Sequence, residues 1–300
     1  MDTYMSVRTY GTDAGDQVKA EAARLETLFS VTDKDSEISA LNRDGEVKAS
    51  ADTLKLVGES LRISRATGGA LDVTVYPAVR AWGFTTGENR VPSKEELAKI
   101  TEKIGYEGVR IEKGTIRIPK GAGVDLGAVA KGYLSDRAAA ILKENGVSSA
   151  LIDLGGNIGA LGSRPDGSPW RIAVRDPAGD GSVGTVEASD LFVVTSGGYE
   201  RYFNDASGRR IWHIIDPATA SPADSGLLSA TVVGKSGTTA DGLSTAVFVM
   251  GEERAVGLWR ETRDFEMILV TSGGEIVITD GLKDAFTREE DSGYTLRIVS

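Results

Sequence analysis

The chain has 300 residues, 40% hydrophobic and 26% charged, the balance of a globular protein with a sizeable core. A net charge of −10 argues against nucleic acid as the main partner, so an anionic ligand must be met by helix N-termini, a few basic residues or a metal. Cysteine is absent, which excludes a disulfide scaffold, a thiol nucleophile and a cysteine metal site, and no run approaches the roughly 18 apolar residues of a membrane span.

Met1 leads directly into DTYMSVRTYG, whose alternation reads as a strand rather than a secretory leader. A helix follows over about 13–29, with Val18, Ala22, Leu25 and Phe29 on one face, and then DKDSEISALNRDGE, a polar connection. The next helix starts near Asp52 and stops at Gly68-Gly69. Ser93 and Glu96 form a capping box that opens a short helix ending at Gly105. VRIEKGTIRIP alternates around Lys113-Gly114 as a hairpin. GVDLGAVAKGYLSDRAAAILKENG is a glycine turn feeding a helix that ends at Asn145-Gly146, and ALIDLGG is a short buried strand entering another glycine turn. From there strands dominate (WRIAVRD, LFVVTSGG, RIWHIID, LLSATVVG, FEMILVT, EIVITD, YTLRIVS), interrupted by a helix in TTADGLSTAVFVMG. Because strands and helices do not alternate regularly, the expectation is an α+β fold with mixed, largely antiparallel sheets flanked by helices. No linker or repeat marks a boundary, so the expectation is a single domain over 1–300, or two intertwined subdomains.

The polar residues that look out of place gather at glycine turns. In VDLGAVAKG, Asp125 precedes Gly127, and Lys131 lies in the first turns of the helix. The turn is either an anion cradle, with free backbone N–H groups and a nearby lysine, or an N-capping aspartate beside a solvated lysine. It lacks the spacing of a P-loop. IDLGGNIGALG and VTSGGYERYF are further strand-to-glycine turns that let backbone approach a flat ligand or a neighbouring strand. His213, the one histidine, is either a general base or a strand residue satisfied by a carbonyl. No G-x-S-x-G elbow accompanies it. Asp241 and Thr245 stand at i and i+4 on one helical face, where a carboxylate and a hydroxyl could share a hard cation such as Mg²⁺. Alternatively Asp241 favours the helix N-terminus while Thr245 bonds back to a carbonyl.

Taken in order, DSEISALNR, TGGALDVTVYPAVRAWGF, VDLGAVAKGYLSDR, LIDLGGNIGALG, VTSGGYERYF, HIIDPATASP and TTADGLSTAVFVMG resemble the ApbE family of FAD:protein FMN transferases. The resemblance reaches from near the N-terminus to about residue 251. It implies an ApbE-like, T-fold-related architecture and a Mg²⁺-dependent enzyme that takes FAD as substrate. Such an enzyme moves the FMN half onto a threonine or serine hydroxyl of another protein and releases AMP. The implied acceptor is a flavin-carrying subunit of the Rnf or Nqr type with a D-x-x-[ST]-G-A-[ST] motif, of which this chain has no clear copy. The resemblance also implies an extracytoplasmic location, although the family's leader and lipid-attachment cysteine are missing here. Two rival activities share these residues: a metal-dependent FAD pyrophosphatase, and a flavin-binding protein without catalysis.

Position by position, the resemblance places the metal at Asp241 and Thr245, helped by a backbone carbonyl of Ala128 or Ala130. Lys131 matches the lysine beside the flavin nucleotide, and His213 the histidine linked to transfer, with Asp216 as the alternative base. Asn42, Asp125, Thr195, Ser196, Gly197 and Asp216 fall in FAD-lining motifs, and Tyr76 and Trp82 are candidates near the flavin or packing residues. The chain departs from the family at Met1-Asp2-Thr3 (usually Met-Gly-Thr), at Gly198 (often Asp or Ser), at Gly242 (often Ala) and at PATASP in place of a Pro-Arg-Thr-Gly run.

Overall fold

The computed structural model describes residues 4–300, so the Met1-Asp2-Thr3 departure lies outside the described residues. The chain divides into two compact units, each drawn from separated stretches of sequence, the first from 23–130 and 198–224 and the second from 4–22, 131–197 and 225–300. Such interleaving explains why no linker shows in the sequence.

The first unit is largely helical. Helix α1 (Gly15–Phe29) enters it with Leu25 and Phe29 buried. Helix α2 (Glu37–Asp44) corrects the reading of DKDSEISALNRDGE as a polar connection. Ser36 caps its start by accepting from Ser39 N, Gly45 closes it at φ +79°, and Ile38 and Leu41 are fully buried. Two apolar anchors on a short helix were too sparse to register as a period. Helix α3 (Ala51–Ala66) is capped by Ser50 and α4 (Tyr76–Ala81) opens with Pro77 in its first turn. Helix α5 (Lys94–Thr101) starts where the Ser93–Glu96 box predicts but ends four residues before Gly105. The Arg110–Glu112 and Thr115–Arg117 hairpin turns at Lys113 (φ +49°) and Gly114 (φ +77°), the left-handed pair that matches strand twist. RIWHIID, read as one strand, is two: Arg210–Trp212 pairs with Tyr202–Asn204, and Ile215–Asp216 with Ser221–Pro222, so His213 occupies the bend between them. Ala78, Trp82, Ile100, Ile211, Ile215 and Ala220 form one core cluster within this unit.

The second unit is built on an eight-stranded sheet. Its spatial order follows the chain: Met5–Tyr10, Ser149–Leu154, Asn157–Leu161, Leu191–Gly197, Leu227–Gly234, Glu266–Thr271, Glu275–Thr279 and Thr295–Val299. Every pair is antiparallel except the last, which is parallel. A three-stranded antiparallel sheet (Trp170–Arg175, Ser182–Ala188, Phe286–Arg288) contributes to a core with Trp170, Val186, Val270, Ile276 and Phe286. Helices α6 (Ala130–Glu144) and α7 (Gly237–Thr262) complete the unit. The expected helix in TTADGLSTAVFVMG is only the first half of α7. Gly251 breaks it at φ +75°, packed against the Ser225 carbonyl, and helix resumes to Thr262. The architecture is the mixed, largely antiparallel α+β arrangement expected from the sequence.

Candidate functional site

In the second unit, α6 and α7 cross where each presents a glycine to the other. A Cβ on Gly132 would lie 2.1 Å from the Gly237 carbonyl oxygen and 2.6 Å from Asp241 Cβ, and a Cβ on Gly237 would lie 2.6 Å from the Gly132 carbonyl oxygen. No side chain fits at either position, so the helix starts meet backbone to backbone. Each helix then caps the other. The Asp241 carboxylate of α7 accepts from Gly132 N, in the first turn of α6, at 2.8 Å. Reciprocally, Asp136 of α6 accepts from Gly237 N at 2.7 Å, from Thr238 N at 2.9 Å, and from the Ser236 and Thr238 hydroxyls. Both carboxylates sit at positive helix ends, where orphan N–H groups and the macrodipole favour them.

Asp241 is 3% exposed. Burial pushes its carboxyl above the usual range; the Lys131 ammonium, 3.7 Å from Oδ1, pulls it back most strongly, and the Gly132 N–H assists. Thr245, one turn on and half-buried, lies 3.2 Å from Ser196 Oγ. Ser196 also contacts Ser244 Oγ at 2.8 Å, and Ser244 donates to the Asp241 carbonyl. Thr195 pairs its hydroxyl with Thr231 at 2.8 Å, and Gly197, buried, ends the strand. The structure thus gathers Lys131, Asp241, Thr245 and Ser196 of the sequence candidates, with Thr195 and Gly197 on the same strand as Ser196. Asp241 does cap a helix, but α6 rather than its own.

Among the described residues there is no cluster of three or more His, Asp or Glu able to hold a metal. A cation here would rest on one carboxylate and a hydroxyl. Oxygen-only donors, few in number, fit Mg²⁺, which keeps most of its shell for water and substrate phosphates. The ammonium already placed at Oδ1 shows that this carboxylate attracts positive charge.

In the first unit, the glycine turn of VDLGAVAKG is held from two sides. Asn42 brackets Val124, accepting from its N at 2.6 Å and donating to its carbonyl at 2.8 Å, while Asp125 N donates to the Val73 carbonyl. Asp125 accepts from Gly127 N at 2.8 Å, an Asx turn rather than the cap of α6. Desolvation pushes its carboxyl up, against the Gly127 N–H and Arg201. Ala128, in the turn, is half-buried, and Ala130 is buried. Asn42 therefore shapes the loop, and its amide is committed to doing so.

His213 Nδ1 stands 3.2 Å from the Arg201 carbonyl oxygen. A carbonyl can only accept, so the neutral ring carries its proton on Nδ1 and its lone pair on Nε2, the tautomer of a general base. The ring meets Phe84 edge-on at 6.3 Å, and Arg201 donates to the Phe84 carbonyl at 2.8 Å. Next to them opens a cavity of about 340 Å³ lined by Gly83, Phe84, Gly87, Asn89, Glu200, Arg201 and Tyr202. Asp216 accepts from Ala218 N at 2.9 Å in another Asx turn. Tyr76 is half-buried at the start of α4. Trp82 is buried and its Nε1 donates to the Ala220 carbonyl at 2.8 Å.

Two departures have local causes. A Cβ on Gly198 would lie 2.8 Å from the Trp212 ring, so the indole stands in the space that a larger residue would need. Ala220, at the glycine position of the usual Pro-Arg-Thr-Gly run, keeps the left-handed turn at φ +53°. Sequence reasoning passed over Asp136 and Asn157, although both lie inside quoted motifs. A long-range cap leaves no periodic trace in one sequence.

The ApbE family profile matches residues 1–269. Among curated proteins, the FAD:protein FMN transferase of Vibrio cholerae serotype O1 is 38% identical over 260 residues, covering 84% of this chain and 75% of that protein. That of Haemophilus influenzae is 35% identical over 257 residues, covering 80% and 73%. Among solved structures, the flavin transferase ApbE from Vibrio cholerae superimposes with a TM-score of 0.79 at 33% identity, covering 96% of this chain and 94% of that one. The ApbE protein of Thermotoga maritima gives 0.82 at 32% identity, covering 95% and 94%. With the profile spanning most of the sequence and relatives alike in both sequence and fold, the chain belongs to the ApbE family.

Proposed function

We propose that this chain is an FAD:protein FMN transferase that moves the FMN half of FAD onto a threonine or serine hydroxyl of a flavoprotein subunit. The acceptor oxygen forms a bond to the FMN phosphorus, the P–O bond to the bridging oxygen breaks, and AMP leaves with that oxygen. The observation that carries this reading is Asp241: a buried carboxylate faced by Lys131, with a hydroxyl one turn on, in a chain whose relatives bear that activity as their name.

Asp241 and Thr245 would hold Mg²⁺, which supplies charge neutralisation at the pyrophosphate. Lys131, 3.7 Å from Asp241 Oδ1, adds a positive charge for the phosphates. His213 takes the acceptor's proton at Nε2, since its Nδ1 is already committed to the Arg201 carbonyl. Asp216 is the alternative base. Phosphoryl transfer otherwise asks the protein mainly for positioning. The acceptor carries the D-x-x-[ST]-G-A-[ST] motif of Rnf- or Nqr-like subunits, and the enzyme works outside the cytoplasm. Among the described residues no helix is long and apolar enough to cross a membrane.

Incubation with FAD, Mg²⁺ and a domain carrying the acceptor motif tests this, with AMP and the acceptor's mass as readouts. An FMN-sized mass gain with equimolar AMP is expected. Free FMN and AMP without labelling would make the chain a pyrophosphatase, and intact bound FAD would make it a binding protein. His213→Ala should slow transfer by about 10²–10⁴-fold; full activity in that variant would move the base to Asp216.

A further inference from the structure

Asn157 begins its strand directly after the Gly155-Gly156 turn, where both glycines take positive φ. It pairs with Val194 on the neighbouring Leu191–Gly197 strand. Side chains alternate along a strand, so Asn157 shares a face with Phe192, Val194 and Ser196. That face looks towards α7: Phe192 lies against Gly237, and Ser196 reaches Ser244 and Thr245.

The residue is 1% exposed, and neither Oδ1 nor Nδ2 of its side chain closes a hydrogen bond of normal length and angle. A buried amide whose hydrogen bonds are left open is costly, so an apolar residue of the same size would be the better choice for folding alone. Its carboxamide faces Asp241. The amide is thus held, buried, beside the carboxylate on which the proposed function depends.

We propose that Asn157 is a positioning residue for Asp241, its Nδ2 closing onto the carboxylate when a cation and a pyrophosphate engage the site. In that state Oδ2 is held by Gly132 N–H and the carboxylate plane is fixed from a second direction by Asn157. Lys131 is released from Oδ1 to the phosphates. Outer groups that orient a ligating side chain in this way typically change metal affinity 10–100-fold. This inference rests on the cation reading of Asp241 and deepens it.

The test is Mn²⁺ titration of the intact chain with ADP as the pyrophosphate probe, free Mn²⁺ being followed by electron paramagnetic resonance. Asn157→Leu should weaken Mn²⁺ binding at least about 10-fold while its melting temperature stays level or rises, because a buried amide whose hydrogen bonds are left open has been removed. A residue with only a structural role would move the melting temperature and leave the Mn²⁺ affinity alone. Asn157→Ser, smaller and without an apolar surface to place, gives the same reading should the leucine variant not fold. If the parent binds Mn²⁺ and both folded variants bind it equally well, the inference about Asn157 is overturned and the cation site stands. If the parent itself binds no Mn²⁺ in the presence of ADP, the cation site and this inference fall together.

Discussion

Substitution of Gly132 by alanine tests the crossing of α6 and α7. The new Cβ would stand 2.1 Å from the Gly237 carbonyl oxygen and 2.6 Å from Asp241 Cβ. Neither neighbour is the loose end of a side chain, so the helices must part by roughly 1 Å to restore ordinary contact. That shift stretches two charge-assisted bonds, Gly132 N to Asp241 at 2.8 Å and Gly237 N to Asp136 at 2.7 Å. Overpacking costs about 1–3 kcal/mol, and hydrogen bonds to charged groups contribute about 1.5–3 kcal/mol each. With the bonds weakened rather than abolished, the loss should be about 4 kcal/mol. At about 2–4 °C per kcal/mol for a unit of this size, the melting temperature should fall by about 10 °C in scanning calorimetry. Gly257→Ala is the matched control. It lies in the later half of α7 with no heavy atom within 4 Å of its added Cβ, and it should gain about 0.5–1 kcal/mol. If the two variants shift in the same direction, or Gly132→Ala melts within a few degrees of the parent, the close crossing is not what sets this region's stability.

Asp241→Asn retains a carbonyl oxygen for Gly132 N–H while removing a buried charge, so its melting temperature should match or exceed the parent's, with transfer down at least about 100-fold; equal loss of fold and activity would make the role structural. Asp72 tests the first unit. Its carboxyl is pushed up chiefly by burial, against the Thr74 hydroxyl, the Thr74 N–H and the Tyr106 N–H. The folded chain therefore holds this proton to higher pH than the unfolded chain, whose carboxyl titrates near the ordinary 3.8, and this group's contribution falls as pH rises between those two points. The stability of Asp72→Asn relative to the parent should climb across that window in urea titrations, and a flat or falling difference would refute the assignment.

Caps, turns and apolar periods were the legible part of the fold. The Ser93–Glu96 box, the Lys113-Gly114 turn and the strand runs of the second unit stand where their local chemistry puts them. The interleaving of two units was not legible, because α6 and the strand ending at Gly197 pass between units without any change in composition. Nor was α2, which needs only Ile38 and Leu41 to anchor it. At the site, residue type identified Asp241 and Thr245 as a possible cation pair. What the sequence could not show is the neighbour each of them answers to, since Gly132, Asn157 and Ser196 reach α7 from other elements.

The two readings of Asp241 raised by the sequence, helix-end carboxylate and metal ligand, are compatible once its two oxygens are separated. Oδ2 belongs to Gly132 N–H, at the start of a different helix, and Oδ1 faces the Lys131 ammonium. The capping bond fixes the side chain's rotamer, and so aims Oδ1 without consuming it. Asp136 shows the contrast. Its Oδ1 and Oδ2 together take four donors around the start of α7, with Oδ2 accepting three of them, which leaves little capacity for a cation. Two carboxylates at one helix crossing thus differ in the number of donors each must satisfy. Asp136 secures the start of the helix that carries Asp241 and Thr245, and Asp241, with a single backbone donor on Oδ2, keeps the oxygen that the proposed cation would need.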